Sequence, residues 1–294
     1  MKEIGKILAA VDLSESSIRA AKRAAMLALA HDAQLELLNV VESGLLEQLR
    51  VLLGSESSEQ QLDVVDNTRL AVGALATDLH EQYGVFAAVR VVSGRVVRCL
   101  SDETDALGAD LVVMGARGQN IAKDILFGST AENMLQKNHT PALIVKHAPA
   151  QPYQRVLVPV DFSPASRAAL DLARRMVPNA ELIVMNAFIV PYEGQLRMAS
   201  VADDTIEHYR DMALNESRYH LRQFLRAAGL GEDDCRSLAV NGDAWMAILE
   251  QQKKQQCDLV VMGKNGSGVI EDFLLGSVTK MVLRRASCDV MVAS

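Results

Sequence analysis

Two stretches of the chain combine residue types suited to gripping an anion. The first reads Gly115-Ala-Arg-Gly118, nine residues, then Gly128-Ser129-Thr130. The second, 148 residues on, reads Gly263-Lys-Asn-Gly266, nine residues, then Gly276-Ser277-Val278. Glycine tolerates positive φ and lets a ligand approach bare N–H groups. A helix start presents N–H donors without intrahelical partners and a partial positive charge, a ready seat for phosphate. The hydroxyls of Ser129, Thr130 and Ser277 add donors. The lysine in Gly263-Lys-Asn-Gly-Ser-Gly lies too early for a Gly-x-x-x-x-Gly-Lys-[Ser/Thr] loop, which excludes that kind of phosphate cradle.

A carboxylate accompanies each stretch. Asp12 ends the apolar run Ile7–Val11, and Asp161 ends Val156–Val160. Hard carboxylate oxygens suit Mg²⁺ held against phosphates, but they supply no nucleophile by themselves. The plainer role for a strand-end aspartate is a turn or a helix cap. Ser14 and Ser163 are better placed to cap the helices that follow, which leaves the aspartates free. Arg117 and Lys264 read equally as ligand-facing cations and as solvated charges.

These residues need elements to position them. Leu111–Met114 and Leu259–Met262 read as buried strands ahead of the glycines, and Ala131–Leu135 opens a helical pattern after them. Before them come a strand at Ile7–Val11, an alanine-rich helix from Ser16 to His31, a strand at Leu35–Val41, and a loosely held polar stretch from Glu42 to Gln61. A helix from about Val64 to Tyr83, a strand at Phe86–Val92, a helix over Val96–Leu107 and a last strand at Pro141–Lys146 complete the first half. His147–Gln154 carries two prolines and no periodicity, so it is the linker between domains of 1–148 and 153–294. The second half repeats the order: a strand at Arg155–Val160, a helix opened by Ser163-Pro164, a strand at Leu182–Phe188, a loop from Pro191 to Ser200, and a long helix to Gly229. Arg236–Val240, a helix through Trp245 and Leu249, Leu259–Met262 and Cys288–Ala293 follow. The two aspartates lie 149 residues apart and the glycines 148, so the chain is a duplication. Alternating strands and helices imply right-handed crossovers and parallel sheets covered on both faces.

Composition narrows the field. A length of 294 residues fits two domains, and 49% hydrophobic residues suffice for two cores. The net charge of −7 argues against nucleic-acid and membrane-surface partners, so any phosphate must be held by local groups. No apolar run approaches the ~18 residues of a membrane span. The N-terminal residues read as a strand rather than a signal peptide, and a cytoplasmic location is expected. Cys99, Cys235, Cys257 and Cys288 are scattered and read as buried reduced thiols. Trp245, Met114, Met262 and Met281 read as core, His208 and His220 as surface residues. No histidine spacing supports a zinc site.

The pattern Gly, two residues, Gly, nine residues, Gly-Ser, present twice beside Asp12 and Asp161, resembles that of the nucleotide-binding members of the universal stress protein family. The resemblance covers nearly the whole chain. It implies two open five-stranded parallel sheets of order 3-2-1-4-5, with ATP over the carboxyl ends of the strands, in accord with the rule that such sheets bind where strand order reverses. By resemblance, Gly115 and Gly118 would support ribose and phosphates, Gly128, Ser129 and Thr130 would bind phosphates, Asp12 would lie near the nucleotide, and the backbone at Val40 would hold adenine. Gly263, Gly266, Gly276, Ser277, Asp161 and Ala187 match them in the second half. Val278 in place of Thr130 removes a hydroxyl. The first loop carries Arg117, Lys123 and Asp124, the second Lys264, Glu271 and Asp272, so unequal affinities are expected. Single-domain relatives pair as dimers, which implies a pseudo-two-fold pairing of the halves through the outer strands Pro141–Lys146 and Cys288–Ala293, and admits a homodimer of the whole chain. The implied function is a nucleotide-dependent stress-response regulator acting on a protein partner, with at most slow ATP hydrolysis. The alternatives are a nucleotide-free interaction scaffold and an ATP-dependent enzyme of a related fold. The enzyme would need an activated nucleophile or a pyrophosphate loop, and the sequence offers neither.

Overall fold

The computed structural model describes residues 4–44, 57–116, 128–266 and 275–294, with the backbone alone over 57–63. The chain divides into two compact units, the first holding Met1–Pro152 and Ser294, the second Tyr153–Ala293. In the first, β1 (Lys6–Ala10), α1 (Glu15–His31), β2 (Gln34–Glu42), α2 (Ser57–Tyr83) and β3 (Ala87–Gly94) are followed by α3 (Val96–Leu107), β4 (Leu111–Gly115), α4 (Ser129–Lys137) and β5 (Ala142–Val145). The strands lie in the order β3-β2-β1-β4-β5, all neighbours parallel. Register runs from Lys6 opposite Gln34 to Ala10 opposite Leu38, and from Ile7 opposite Leu111 to Ala9 opposite Val113. Because β1 and β4 are covered on both faces, they read as unbroken apolar runs.

Helices cover both faces: α1 packs beside α2, and α3 beside α4. The inner face of α1 is alanine, with Ala20, Ala21, Ala24 and Ala25 fully buried, so its axis lies close to the sheet. Ser14 caps α1 by accepting from the Ser17 N–H at 3.2 Å, and Asp32 ends it in the left-handed region at φ 51°.

The second unit contains β6 (Arg155–Pro159), α5 (Pro164–Met176), β7 (Glu181–Phe188), α6 (Glu193–Met198), α7 (Asp203–Ala227), β8 (Arg236–Asn241), α8 (Ala244–Lys254), β9 (Leu259–Gly263), α9 (Ser277–Arg285) and β10 (Asp289–Ala293). Its order, β8-β7-β6-β9-β10, is the same and again parallel. Ser163 caps α5, with Pro164 at the first helical position.

Several expectations are corrected. Residues 193–198, read as loop, form the short helix α6. Glu193 fixes it to α7 by meeting both Arg197, at 3.3 Å, and Arg210. Hydrogen bonding from Arg210 holds the Glu193 carboxyl below its ordinary pKa. The helix α2 begins at Ser57, inside the stretch read as loosely held; residues 45–56 lie outside the described residues. Met114 and Met262 are core, but Met281 and Trp245 are half-buried, and Arg285 lies over the indole at 5.3 Å. An amphipathic ring with a cation against one face needs only partial burial.

The thiols also differ from expectation. Cys257 and Cys288 are buried, whereas Cys99 and Cys235 are half-buried. Burial, reinforced by Asp258 and Glu181, pushes the Cys257 thiol up to about 11 from an ordinary 9.0. The native thiol therefore keeps its proton where the unfolded chain has lost it. This contribution to stability is full below pH 9.0 and is lost as pH rises towards about 11. Denaturant melts over that range should show stability falling with pH, and Cys257→Ala should flatten the slope.

Candidate functional site

In each unit the candidate residues that the structure describes gather at the carboxyl edge of the sheet, where the chain leaves the first strand for one side and the fourth strand lies on the other. The strand-to-helix turn after β1 is built by its aspartate. The Ser14 N–H donates to Asp12 Oδ1 at 3.0 Å, and the Asp12 N–H donates to Ser17 Oγ at 3.2 Å. Leu13, between them, is left-handed at φ 62°. After β6, Asp161 Oδ1 accepts from the Ser163 N–H at 3.1 Å and Ser163 Oγ at 2.5 Å, and Phe162 has φ 66°. A non-glycine residue in this region costs roughly 1–2 kcal/mol, and the chain adopts it at the same place twice. The expectation that serine capping leaves the aspartates free is thus corrected: the serines do cap, but each aspartate also holds its turn through Oδ1. Asp12 is half-buried and Asp161 exposed.

The glycines divide into two kinds. A Cβ on Gly115 would lie 2.6–2.8 Å from Ser16, including its backbone C and O, and one on Gly263 would lie 2.9 Å from the backbone and Cβ of Ala165. Both glycines let the first turn of α1 or α5 sit directly on the neighbouring strand end. Gly266 borders the aspartate: a Cβ there would meet Asp161 Oδ2 at 2.7 Å. The other carboxylate oxygen of Asp161 is therefore turned onto the glycine loop.

Gly128 and Gly276 stand at the N-caps of α4 and α9 with φ −80° and −58°, conformations open to any residue. Glycine is not required by the backbone there. What it does is omit the side chain that normally occupies the first-turn N–H groups, and neither helix has a side-chain cap. Each glycine N–H ties the helix start to the fourth-strand loop, Gly128 to the Ala116 carbonyl and Gly276 to that of Lys264, both at 3.0 Å. Ser129, Thr130 and Ser277 are exposed at these helix starts, and Val278 is half-buried.

Val40 and Ala187 lie near the ends of β2 and β7, opposite Val92 and Val240. Gly118, Arg117, Lys123, Asp124, Glu271 and Asp272 lie outside the described residues. Lys264 is no solvated charge: it is 6% exposed, at the place held by Ala116 in the first unit. Sequence reasoning also missed Asn39 and Asn186, buried and donating to the carbonyls of Val11 and Val160 at 2.7 Å each. The available signal was a lone amide in each of two apolar strand runs. Thr279, buried and bonded to the Gly263 carbonyl at 3.0 Å, was missed because its counterpart is Ala131.

The model of the universal stress protein family matches residues 3–146 and again 152–294. A universal stress protein of Mycolicibacterium smegmatis is 27% identical over 316 residues, covering 97% of this chain and 96% of that protein. Universal stress protein A homolog 2 of Coxiella burnetii is 28% identical over 144 residues, 47% of this chain and 93% of its own length. The crystal structure of a universal stress protein from Archaeoglobus fulgidus DSM 4304 superposes with a TM-score of 0.72 at 21% identity, covering 100% of this chain and 99% of that one, a likeness of fold. With the family pattern met twice in succession, this chain belongs to the universal stress protein family.

Proposed function

We propose that each unit binds an adenine nucleotide, ATP with Mg²⁺, and that the chain is a cytoplasmic, nucleotide-dependent stress-response regulator acting through a protein partner. The observation that carries this reading is a doubled convergence. In both units an aspartate-built turn shares one sheet edge with a helix whose N-cap is glycine where the backbone does not need it. That arrangement fits a polyanion, since open N–H groups and the helix dipole supply the positive potential that a chain of net charge −7 lacks overall.

In this reading Gly128, Ser129, Thr130, Gly276 and Ser277 hold phosphates. Gly115, Gly118, Gly263 and Gly266 bring backbone close to ribose and phosphates, and Val40 and Ala187 meet the base. Among the described residues no cluster of three metal-ligating side chains occurs. Mg²⁺ would then arrive with the phosphates and meet Asp12 or Asp161. Both carboxylates are committed to their turns through one oxygen, so hydrolysis is at most slow: phosphoryl transfer needs a positioned base and cationic charge on the leaving group.

A thermal shift tests the reading. At a hundredfold excess of MgATP over Kd the stabilisation is about 2.7 kcal/mol, which should raise the melting temperature by roughly 5 °C or more. No shift, with no nucleotide co-purifying by mass spectrometry, would favour the scaffold. Turnover well above background that Asp12→Ala and Asp161→Ala abolish would make the chain an enzyme.

A further inference from the structure

The nucleotide reading gives no role to the two buried amides. Asn39 is 7% and Asn186 6% exposed, each set between apolar residues of its strand. A buried amide is kept where it is hydrogen-bonded, and each donates through Nδ2 to the carbonyl directly before the site aspartate, 2.7 Å in both units. In the second unit Ser217 Oγ, on α7, donates to Asn186 Oδ1 at 2.8 Å, which sets the amide with its nitrogen towards Val160.

This bond changes how the strand ladder ends. The Val11 N–H donates to the Leu38 carbonyl at 2.9 Å, and the Val160 N–H to that of Met185 at 2.7 Å. Main-chain groups alternate sides along a strand. Leu38, and two residues on Val40, therefore turn N–H and C=O towards the β1 side; Met185 and Ala187 do the same towards β6. The next rung of a regular parallel ladder would join Val40 N–H to the Val11 carbonyl, and Ala187 N–H to the Val160 carbonyl. Among the described residues neither rung is made; the asparagine amide takes that carbonyl instead.

We propose that Asn39 and Asn186 are positioning residues that stop each ladder one rung early, leaving the N–H and C=O of Val40 and of Ala187 as a donor–acceptor pair for the edge of the base. The proposal rests on the nucleotide reading, in which Val40 and Ala187 meet the base, and adds the residues that keep their main-chain groups open. On the edge that carries N7, adenine offers a ring-nitrogen acceptor beside an amino donor, whereas guanine offers two acceptors. One residue presenting one N–H and one C=O suits the former.

The test uses the full chain and two ligands, MgATP and magnesium tripolyphosphate, titrated calorimetrically. In the near-isosteric double variant Asn39→Leu/Asn186→Leu, the Val11 and Val160 carbonyls are released to recapture the Val40 and Ala187 N–H groups. MgATP should bind about tenfold more weakly, the loss of roughly one hydrogen bond, while tripolyphosphate affinity stays unchanged. A structural loosening would weaken both alike, and equal losses overturn the proposal. Amide hydrogen exchange of the native chain is independent of how the variant folds. Val40 and Ala187 should exchange far faster than Leu38 and Met185; equal protection overturns the proposal whatever binds. Should the native chain bind neither ligand while those two amides exchange fast, the nucleotide reading fails and takes the base-reading role with it.

Discussion

Gly263→Ala is expected to cost about 2–3 kcal/mol of stability, and Gly115→Ala a similar amount. The added methyl at 263 would lie 2.9 Å from the backbone carbon and oxygen of Ala165, and that at 115 within 2.8 Å of the backbone of Ser16. These obstacles are main chain, in the first turn of a helix already seated closely on the sheet, so no rotamer change relieves them. Relief requires shifting α5 or α1 outward, at the expense of a close-packed interface. Gly73→Ala is the natural control. Gly73 lies within α2 with nothing within 4 Å of its would-be Cβ, and replacing a helical glycine by alanine should stabilise by roughly 1 kcal/mol. Urea midpoints for the three variants decide the matter. If the site glycines tolerate alanine as well as Gly73 does, they are not packing residues.

Gly276→Asp and Gly128→Asp should each weaken MgATP binding at their own unit by about a hundredfold, or about 2.7 kcal/mol, while stability changes by only a few tenths of a kcal/mol. The combination is the informative part. Both positions have φ and ψ that aspartate adopts, and at 276 the nearest atoms to a new Cβ are 3.4–3.8 Å away. Aspartate is a good N-cap residue, so the helix loses nothing. The ligand, however, would find its N–H donors occupied and a negative charge in its place. Of the pair, Gly128→Asp should lower total binding more, because Thr130 adds a hydroxyl where the second unit has Val278. Equal losses would contradict that inequality. A loss of stability in step with binding would instead mean that the substitutions disturb the fold.

Fold and site were legible to different depths. Parallel pairing and duplication followed from apolar runs spaced by helical patterns, because strands buried on both faces have no reason to alternate, whereas the strand order came with the family resemblance. The serine caps of α1 and α5 were visible for a local reason: capping is settled within four residues. What escaped depends on contacts across the chain. Nothing in Gly115 itself tells that Ser16 fills the space beside it, about a hundred residues earlier in sequence. The burial of Lys264 is likewise set by tertiary surroundings, against the usual preference of lysine for water. Asn39 and Asn186 were overlooked because a strand-period reading scores a polar residue in an apolar run as a weakness. Here each finishes a ladder.

Because the duplicated units are parts of one polypeptide, a substitution at one of the two proposed anion-binding turns leaves the other untouched. An assembly of two identical chains has no such freedom, since every change appears in both copies. Ala116 against Lys264, Thr130 against Val278 and Ala131 against Thr279 are differences of this kind, lodged at matching positions of otherwise parallel machinery. Fusion thus turns a symmetric device into one whose two halves selection can set to different thresholds, so that a rising ligand concentration would fill them in sequence rather than together.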